Sequence, residues 1–511
     1  MRKWMPLLVV CLLVLCVMPG YASNVVWPSN RIMEIQITLS KGDWADMRAN
    51  ALDETAYPAT VVIDGEKIET VGFHTKGNAT LVNNVKTGQE KLPFKLDFAE
   101  YYPGNYHGIE VINLNNEYLN PSYMHEAIGY DVFDMMGVPT PSRAYAKVYV
   151  NGEYRGLYLA IENIGTGFVT RYYGSAVGEL YKPDGKGSNM EWRGSQSSQY
   201  KAFAAKTPAA KGHVLLRDMV EVLNHTQDTT QLDKVLNIES AIAYLAVNAA
   251  LVNYDSYLAS NPHNYYLYEV EGRFEILPWD LQMAFGMKKI KKYTDVPLTD
   301  LYIDDPTDQK LNEKVLFNKL MEHPQYHALY HQYLRQIAQQ VLTEDAIAQK
   351  IARYDALIAR EVQNDPFALY GPQAYEQGKV DLQDFAAKRG KSVLKQLDGT
   401  QSAMPPEGTY TDADFDQKQD IKQSDKGDLG KAIGKMFESL WQDIMGIVNA
   451  FRGEPVLPEK IDAEQLEDDM DVIQERISHQ EAVFRYNLYL GGAVTAAIIV
   501  FCLVLAKKRR I

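Results

Sequence analysis

Residues 251–281 read LVNYDSYLASNPHNYYLYEVEGRFEILPWDL, and this stretch decides how the rest of the chain is interpreted. Two runs rich in aromatic and aliphatic residues, 263–270 and 274–277, are separated by Glu271-Gly272, which predicts a β-hairpin. The apolar segment that comes before it, 238–252, predicts a long helix. The stretch therefore predicts a helix, a polar turn and a hairpin in direct succession.

Three polar residues stand where these elements join: Asp255 follows the helix, Asn264 begins the hairpin and Asp280 ends it. Phosphoryl transfer needs a carboxylate that orients the attacking hydroxyl, and it needs oxygen ligands for metal ions. Protein kinases carry an Asp, an Asn, a hairpin and a second Asp in this order, although with a D-x-x-x-x-N spacing and an Asp-Phe-Gly motif that are absent here. On the pattern alone, Asp255 is also explained as a loop acid and Asp280 as a turn acid.

Upstream of this stretch, most patterns predict strands. Hairpins are predicted where Asp64-Gly65 and Asn151-Gly152 separate apolar runs, and alternation over 92–98 predicts a half-buried strand with Lys95 on its polar face. A helix is predicted over 121–136, and helices dominate after Glu162. The fold class is therefore α+β, with a strand-rich N-terminal lobe and a helical C-terminal lobe interrupted by one hairpin, as in a two-lobed kinase.

Binding the donor phosphates requires a cation, and several lysines of the sequence could supply it. Lys95 on its strand precedes Glu126 on the first long helix, as the strand Lys of kinases precedes a helix Glu. On the pattern alone, both are also explained as exposed residues. The turn 75–80 could bring backbone N–H groups over phosphates, although it is not a G-x-G-x-x-G loop. The alternative phosphate-binding lysines are Lys76, Lys147 and Lys182.

The two ends of the chain predict export and membrane anchoring. Residues 1–23 have a charged start, an apolar run and small residues for cleavage, which is typical of a signal peptide. Residues 486–506 form an apolar stretch long enough to span a bilayer, and the basic tail 507–511 follows. We expect a single-pass protein of the cell membrane with its ectodomain outside and its C-terminus in the cytoplasm.

Between these ends, composition predicts three parts: a globular domain at 30–400, a polar linker at 401–430 and a helical membrane-proximal stalk at 431–485. All three cysteines lie in the predicted signal or span, so the ectodomain can hold neither a disulfide nor a thiolate metal site. The net charge of −14 argues against nucleic-acid binding, because such a surface repels phosphate backbones.

Ten phrases spread over residues 32–400 resemble the spore-coat CotH family of divergent protein kinases. They are GFHTKGNATL at 72–81, KLPFKLDF at 91–98, LNNE at 114–117, PSYMHE at 121–126, MGVPTP at 136–141, YVNGEYRGLY at 149–158, LYKPD at 180–184, NYDSY at 253–257, HNYYLY at 263–268 and PWDL at 278–281.

The resemblance implies an atypical kinase that binds ATP with Mg²⁺ or Mn²⁺ and phosphorylates Ser or Thr of surface or spore-coat proteins. By position, Asp255 would be the catalytic Asp and Asp280 a metal ligand, with Asn264 as second metal ligand. A non-catalytic binding or adhesion module, or a structural envelope component, remains the alternative on the same fold.

Overall fold

The computed structural model describes residues 27–288, 290, 292–293 and 295–406. The predicted signal peptide, stalk, membrane span and basic tail lie outside these residues, as does most of the predicted linker. Among the helices within them, none has the length and apolarity needed to cross a membrane.

The N-terminal part is a closed barrel of seven strands. In chain order they are β1 (Met33–Thr38), β2 (Tyr57–Ile63), β3 (Glu66–Thr75), β4 (Phe94–Asp97), β5 (Val111–Asn115), β6 (Arg143–Val150) and β7 (Glu153–Glu162). Around the barrel the order is β1-β2-β3-β4-β5-β7-β6, and β1 closes it by pairing in parallel with β6. The other neighbouring pairs are antiparallel, and the predicted hairpins at Asp64-Gly65 and Asn151-Gly152 are confirmed.

Alternating apolar residues explain how the barrel is filled. Ile35, Val61, Phe73, Phe94 and Leu114 come from five different strands, and each of these side chains is completely buried. Successive side chains of a strand point to opposite faces, so the residues that alternate with these along each strand point to the outside of the barrel.

The helices pack outside the barrel and in the C-terminal part. They are α1 (Lys41–Ala49), α2 (Ala79–Lys86), α3 (His125–Met135), α4 (Thr166–Tyr173), α5 (Val214–His225), α6 (Ile238–Ala250), α7 (Val315–Met321), α8 (Pro324–Gln340), α9 (Glu344–Gln363) and α10 (Pro372–Leu397). Ser40 caps α1, because its hydroxyl accepts a hydrogen bond from the N–H of Asp43 at 3.0 Å.

A second sheet lies in the C-terminal part. Its strands are β8 (Leu180–Pro183), β9 (Phe203–Ala205), β10 (Tyr265–Val270) and β11 (Arg273–Pro278), in the order β11-β10-β8-β9. The predicted hairpin is confirmed as β10 and β11, but the expectation that it alone interrupts a helical lobe is wrong, because β8 and β9 extend it into a four-stranded sheet. β8 and β9 have only four and three residues, too few for alternation to show in the sequence.

The predicted helix over 121–136 begins later than expected, at His125. The preceding residues form a turn in which the Tyr123 N–H donates to the Asn120 carbonyl at 2.9 Å. Tyr123 has φ of +60°, a left-handed conformation that cannot belong to an α-helix.

A buried ion pair joins the barrel to the C-terminal helices. Lys91 comes just before β4, Asp365 lies between α9 and α10, and their side chains meet at 2.5 Å with no exposure to solvent. The same carboxylate oxygen accepts the N–H of Leu157 at 3.0 Å, and the other accepts the N–H of Phe367 at 2.9 Å. The buried carboxylate thus has partners on both sides of the junction, which such a charge requires.

Gly156 provides the space for this carboxylate. It has φ of +110°, and a Cβ at this position would overlap both side-chain oxygens of Asp365. Gly152, in the turn of the same hairpin, also has positive φ (+81°), but a Cβ there would meet nothing within 4 Å.

Gly156→Ala should therefore lower the free energy of unfolding by about 3–5 kcal/mol, the usual cost of disrupting a buried ion pair. Gly152→Ala carries only the backbone strain and should cost about 1–2 kcal/mol. Urea unfolding followed by tryptophan fluorescence measures both. Equal losses in the two variants would show that Asp365 does not need the space at Gly156.

Candidate functional site

A lysine at the end of a barrel strand is connected to a buried glutamate through an asparagine. Lys76 directly follows β3, and its Nζ donates to Oδ1 of Asn115, the last residue of β5, at 2.6 Å. Asn115 Nδ2 in turn donates to Oε2 of Glu126, in the first turn of α3, at 2.8 Å. The amide therefore holds the ammonium and the carboxylate in a fixed relation.

The turn after Lys76 leads into α2. Lys76 is fixed by its own N–H, which donates to the Pro93 carbonyl at 3.1 Å, and Gly77 next to it has φ of +111°. The turn 75–80 predicted from the sequence is thus present, and its residues lead from β3 to the N-terminus of α2.

Glu126 also contacts the end of the second sheet. Its Oε1 accepts the N–H of Leu281 at 3.4 Å, so the carboxylate connects the barrel side to the residue after Asp280. Burial, followed by the charge of Asp280, raises the pKa of Glu126 to about 8, although the hydrogen bond from Asn115 opposes this. Burial lowers the pKa of Lys76, and the charges of Asp280 and Glu126 oppose that effect.

Asp280 lies between the two halves of the site. It follows β11 with φ of +51°, and its N–H donates to the Tyr130 hydroxyl of α3 at 3.1 Å. Burial raises the pKa of the Asp280 carboxyl; the Lys76 charge counteracts this, and the nearby Asp255 reinforces it. A half-buried carboxylate whose pKa is raised by a second carboxylate is a place where a bound cation would be stabilised.

Asp255 is held by three side chains. His263 Nε2 lies 3.3 Å and Lys288 Nζ 3.2 Å from its Oδ1, while Asn264 Nδ2 donates to its Oδ2 at 3.0 Å. Burial alone would raise the pKa of Asp255, but the hydrogen bond and charge of His263, together with Lys288, lower it to about 2. The group is therefore an ionised hydrogen-bond acceptor at neutral pH.

Lys182 on β8 contributes a second ammonium. Its Nζ lies 6.0 Å from the ring centroid of Tyr266 on β10. Tyr266, and then Asp184 and Asp280, raise the pKa of Lys182 despite its burial. The charge of Lys182 lowers the pKa of Lys76, and the charge of Asp280 raises the pKa of both lysines.

The donor set fits a divalent cation that prefers oxygen. Asp280 and Asp255 supply carboxylates, and Asn264 uses its amide nitrogen for Asp255, which leaves its amide oxygen for another partner. Mg²⁺ and Mn²⁺ are bound in this way, by one or two carboxylates together with phosphate oxygens.

Most of the residues predicted from the sequence are brought together here: Lys76, Glu126, Lys182, Asp255, Asn264 and Asp280. Lys95 is not joined to Glu126 as expected. It pairs with Asp97 at 3.4 Å on the outer face of β4, because Phe94 and Leu96 fill the barrel on the opposite face. Lys147 pairs with Glu34 at 3.7 Å, across the junction of β1 and β6.

The sequence reasoning missed four residues of the site: Asn115, Tyr130, His263 as a partner of Asp255, and Lys288. Three of them carried a signal: Asn115 and His263 lie in the CotH-like phrases LNNE and HNYYLY, and Lys288 begins the lysine-rich run KKIKK at 288–292 shortly after Asp280. Asn115 ends a strand that no turn dipeptide marked.

Comparisons with known proteins agree in pointing to one family. Inner spore coat protein H of Bacillus subtilis (strain 168) is 23% identical over 360 residues, which cover 68% of this chain and 91% of that protein. An inner spore coat protein H-like protein of the same strain is 21% identical, with coverage of 54% and 76%.

Among solved structures, the complex of HipA, HipB and operator DNA from the Shewanella oneidensis MR-1 toxin–antitoxin system aligns with a TM-score of 0.32. It has 14% identity and covers 72% of this chain and 82% of that chain. A likeness of this degree supports no conclusion about the site.

The family model described as CotH kinase protein matches residues 73–393. This range begins in β3 next to Lys76, ends in α10 and contains every residue of the site described above. Because the match covers more than half of the sequence, the chain belongs to the CotH kinase protein family.

Proposed function

We propose that this chain is an atypical protein kinase that transfers the γ-phosphoryl group of ATP to Ser or Thr residues of proteins. The observation that carries the proposal is the convergence on Asp280 of Lys76, with its link to Glu126, and of Asp255. These residues are far apart in sequence and come from both parts of the fold.

The lysines would bind the donor phosphates. Both Lys76 and Lys182 respond to the charge of Asp280, and Asn115 keeps the Lys76 ammonium in position through its bond to Glu126. A fixed cation stabilises the charge that develops on a transferring phosphoryl group without reorganising during the reaction. The Lys–Asn–Glu arrangement would thus do what a direct Lys–Glu ion pair does in other kinases.

Asp255 would orient the hydroxyl of the acceptor. A carboxyl group with a pKa of about 2 is a weak base, so its contribution is an accepted hydrogen bond that aligns the attacking oxygen. Lys288 and His263 keep it ionised and fix its position.

Asp280 and Asn264 would hold Mg²⁺ or Mn²⁺. When bound, such an ion neutralises charge on the β- and γ-phosphates. Asp280 is suited to this because its N–H is fixed to Tyr130, and a bound cation would offset the effects that raise the pKa of its half-buried carboxyl.

The acceptor and the location belong to the same proposal. The relative named inner spore coat protein H supports a Ser- and Thr-containing coat or surface protein as substrate. The apolar stretch 486–506 would tether the kinase to the cell membrane with its domain outside.

Asp280→Asn and Asp255→Asn should separate nucleotide binding from transfer. Asp280→Asn should abolish the rise in melting temperature that ATP with Mn²⁺ gives the parent. Asp255→Asn should keep that rise and lower the transfer of label from γ-labelled ATP to a Ser- and Thr-rich acceptor by about 10²–10⁴-fold.

The matched control is Asp97→Asn, which removes a carboxylate that pairs with Lys95 on the outer face of β4. It should leave both readouts unchanged. A parent chain that shows neither a thermal shift nor label transfer would refute the kinase proposal and favour the binding or adhesion module.

Lys76→Met should lower label transfer by about 10²-fold or more, because it removes a fixed cation at the phosphates. Lys95→Met, a change of the same size on the neighbouring strand, should have little effect since Lys95 does not contact Glu126. Steady-state rates at saturating ATP test this. A larger loss in Lys95→Met than in Lys76→Met would show that the wrong lysine has been assigned.

A further inference from the structure

A second cluster of potential metal ligands, which shares no residue with the candidate active site, is formed by α8 and the loop that carries Asp304. His327 and His331 are four residues apart, so both imidazoles lie on one face of the helix, with ring centroids 4.2 Å apart. Both Nε2 atoms face the same carboxylate oxygen, Oδ1 of Asp304, at 3.4 Å from His327 and 2.7 Å from His331.

The three ligand atoms already lie close to the separations that a metal requires. All of them fall within 4.8 Å of one another. Zinc–nitrogen and zinc–oxygen bonds are about 2.0–2.2 Å long, so adjacent ligand atoms of a tetrahedral site are about 3.3–3.4 Å apart. The His327 distance meets this value, and His331 needs to move away from Asp304 by only about 0.6 Å.

The loop that carries Asp304 is fixed to the surrounding helices. The Asp304 N–H donates to the Ala403 carbonyl at 3.0 Å, and the Ile303 N–H donates to Oε1 of Gln396 on α10 at 2.9 Å. The Ile303 carbonyl accepts the hydroxyl of Tyr330, which lies on α8 between the two histidines, at 2.6 Å. The carboxylate is therefore presented to the imidazoles by backbone contacts that do not depend on a metal.

The cluster remains open to solvent. The side chains of His327, His331 and Asp304 are 39%, 31% and 18% exposed. An ion can reach the three ligand atoms from the surface, and a water molecule can take a fourth position.

We propose that Asp304, His327 and His331 form a binding site for a divalent transition metal of the Zn²⁺ type. Two imidazoles and one carboxylate are a ligand set that favours Zn²⁺, Co²⁺ or Ni²⁺ over Mg²⁺ and Ca²⁺, which prefer oxygen ligands alone. The bound ion would connect the loop that carries Asp304 to α8 and stabilise the contact between them. The site shares no residue with the candidate active site and is independent of the proposed kinase function.

Zinc binding to the tag-free full chain tests the proposal. Titration with ZnCl₂ in excess Mg²⁺, followed by calorimetry, should show a saturable site in the parent, and ZnCl₂ should raise the melting temperature, because an ion that binds only the folded state stabilises it. His327→Ala, His331→Ala and Asp304→Asn should each weaken this binding by about 100-fold or more, since even outer-shell changes cost 10–100-fold.

The matched control is His107→Ala. His107 is an exposed histidine that pairs with Glu66 at 2.7 Å, so it has the His–carboxylate contact, and within the described ranges it belongs to no cluster of three potential metal ligands. It should leave zinc affinity unchanged, as should Asp280→Asn, which separates this site from the proposed kinase site. His327→Gln and His331→Gln repeat the test with side chains that suit a helix and an exposed position.

Binding that is equal in the parent and in all ligand variants would overturn the proposal, because the zinc would then be held elsewhere. So would a parent chain with no saturable zinc binding, which would leave the cluster as a pair of His–Asp hydrogen bonds. Loss of binding in the three ligand variants together with its retention in His107→Ala would support the site.

Discussion

The buried contact between Lys91 and Asp365 is the constraint on which the arrangement of the site depends. The two residues are 274 positions apart, and their charges meet without solvent. A charge in such a place is tolerated only with its partner and with further hydrogen bonds, which the N–H groups of Leu157 and Phe367 provide. Because the partners belong to the barrel and to the segment between two C-terminal helices, the pair fixes how the two halves of the fold meet.

The candidate site is formed where those halves meet. Lys76 and Asn115 stand at the ends of barrel strands, whereas Asp280 stands at the end of the second sheet. Helix α3 connects them, because Glu126 binds Asn115 on one side and the Leu281 N–H on the other. The position of the charges is thus a property of the junction between two sheets and one helix, and no single motif contains it.

The sequence was sufficient for the α+β class, for the strands flanked by turn dipeptides and for the order of Asp255, Asn264 and Asp280. The sequence did not predict the side-chain contacts that depend on closure of the barrel. Alternation places Lys95 on a strand before Glu126, but the lysine linked to Glu126 is Lys76, which reaches it through Asn115.

The short strands β8 and β9 could not be predicted from the sequence for a different reason. β8 gains its strand conformation from pairing with β10 and β9, and β9 from pairing with β8, so their own few residues carry little signal. The His–x–x–x–His spacing on α8 was visible in the sequence, but the carboxylate that completes the cluster comes from a loop more than twenty positions away, and only the fold brings it there.

The parallel pairing that closes the barrel has a consequence for how the chain folds. β1 can form a hairpin-like pair with β2 as soon as both are synthesised, but its other edge waits for β6, since Ile35 pairs with Val148. Until then a strand edge with unpaired N–H and C=O groups is exposed, which favours association between incomplete chains. Even a closed barrel still lacks Asp365, so Lys91 is left without its counter-charge until the chain has been made through α9. Maturation of this domain should therefore be slow relative to its secondary structure, and dependent on protection of the nascent barrel.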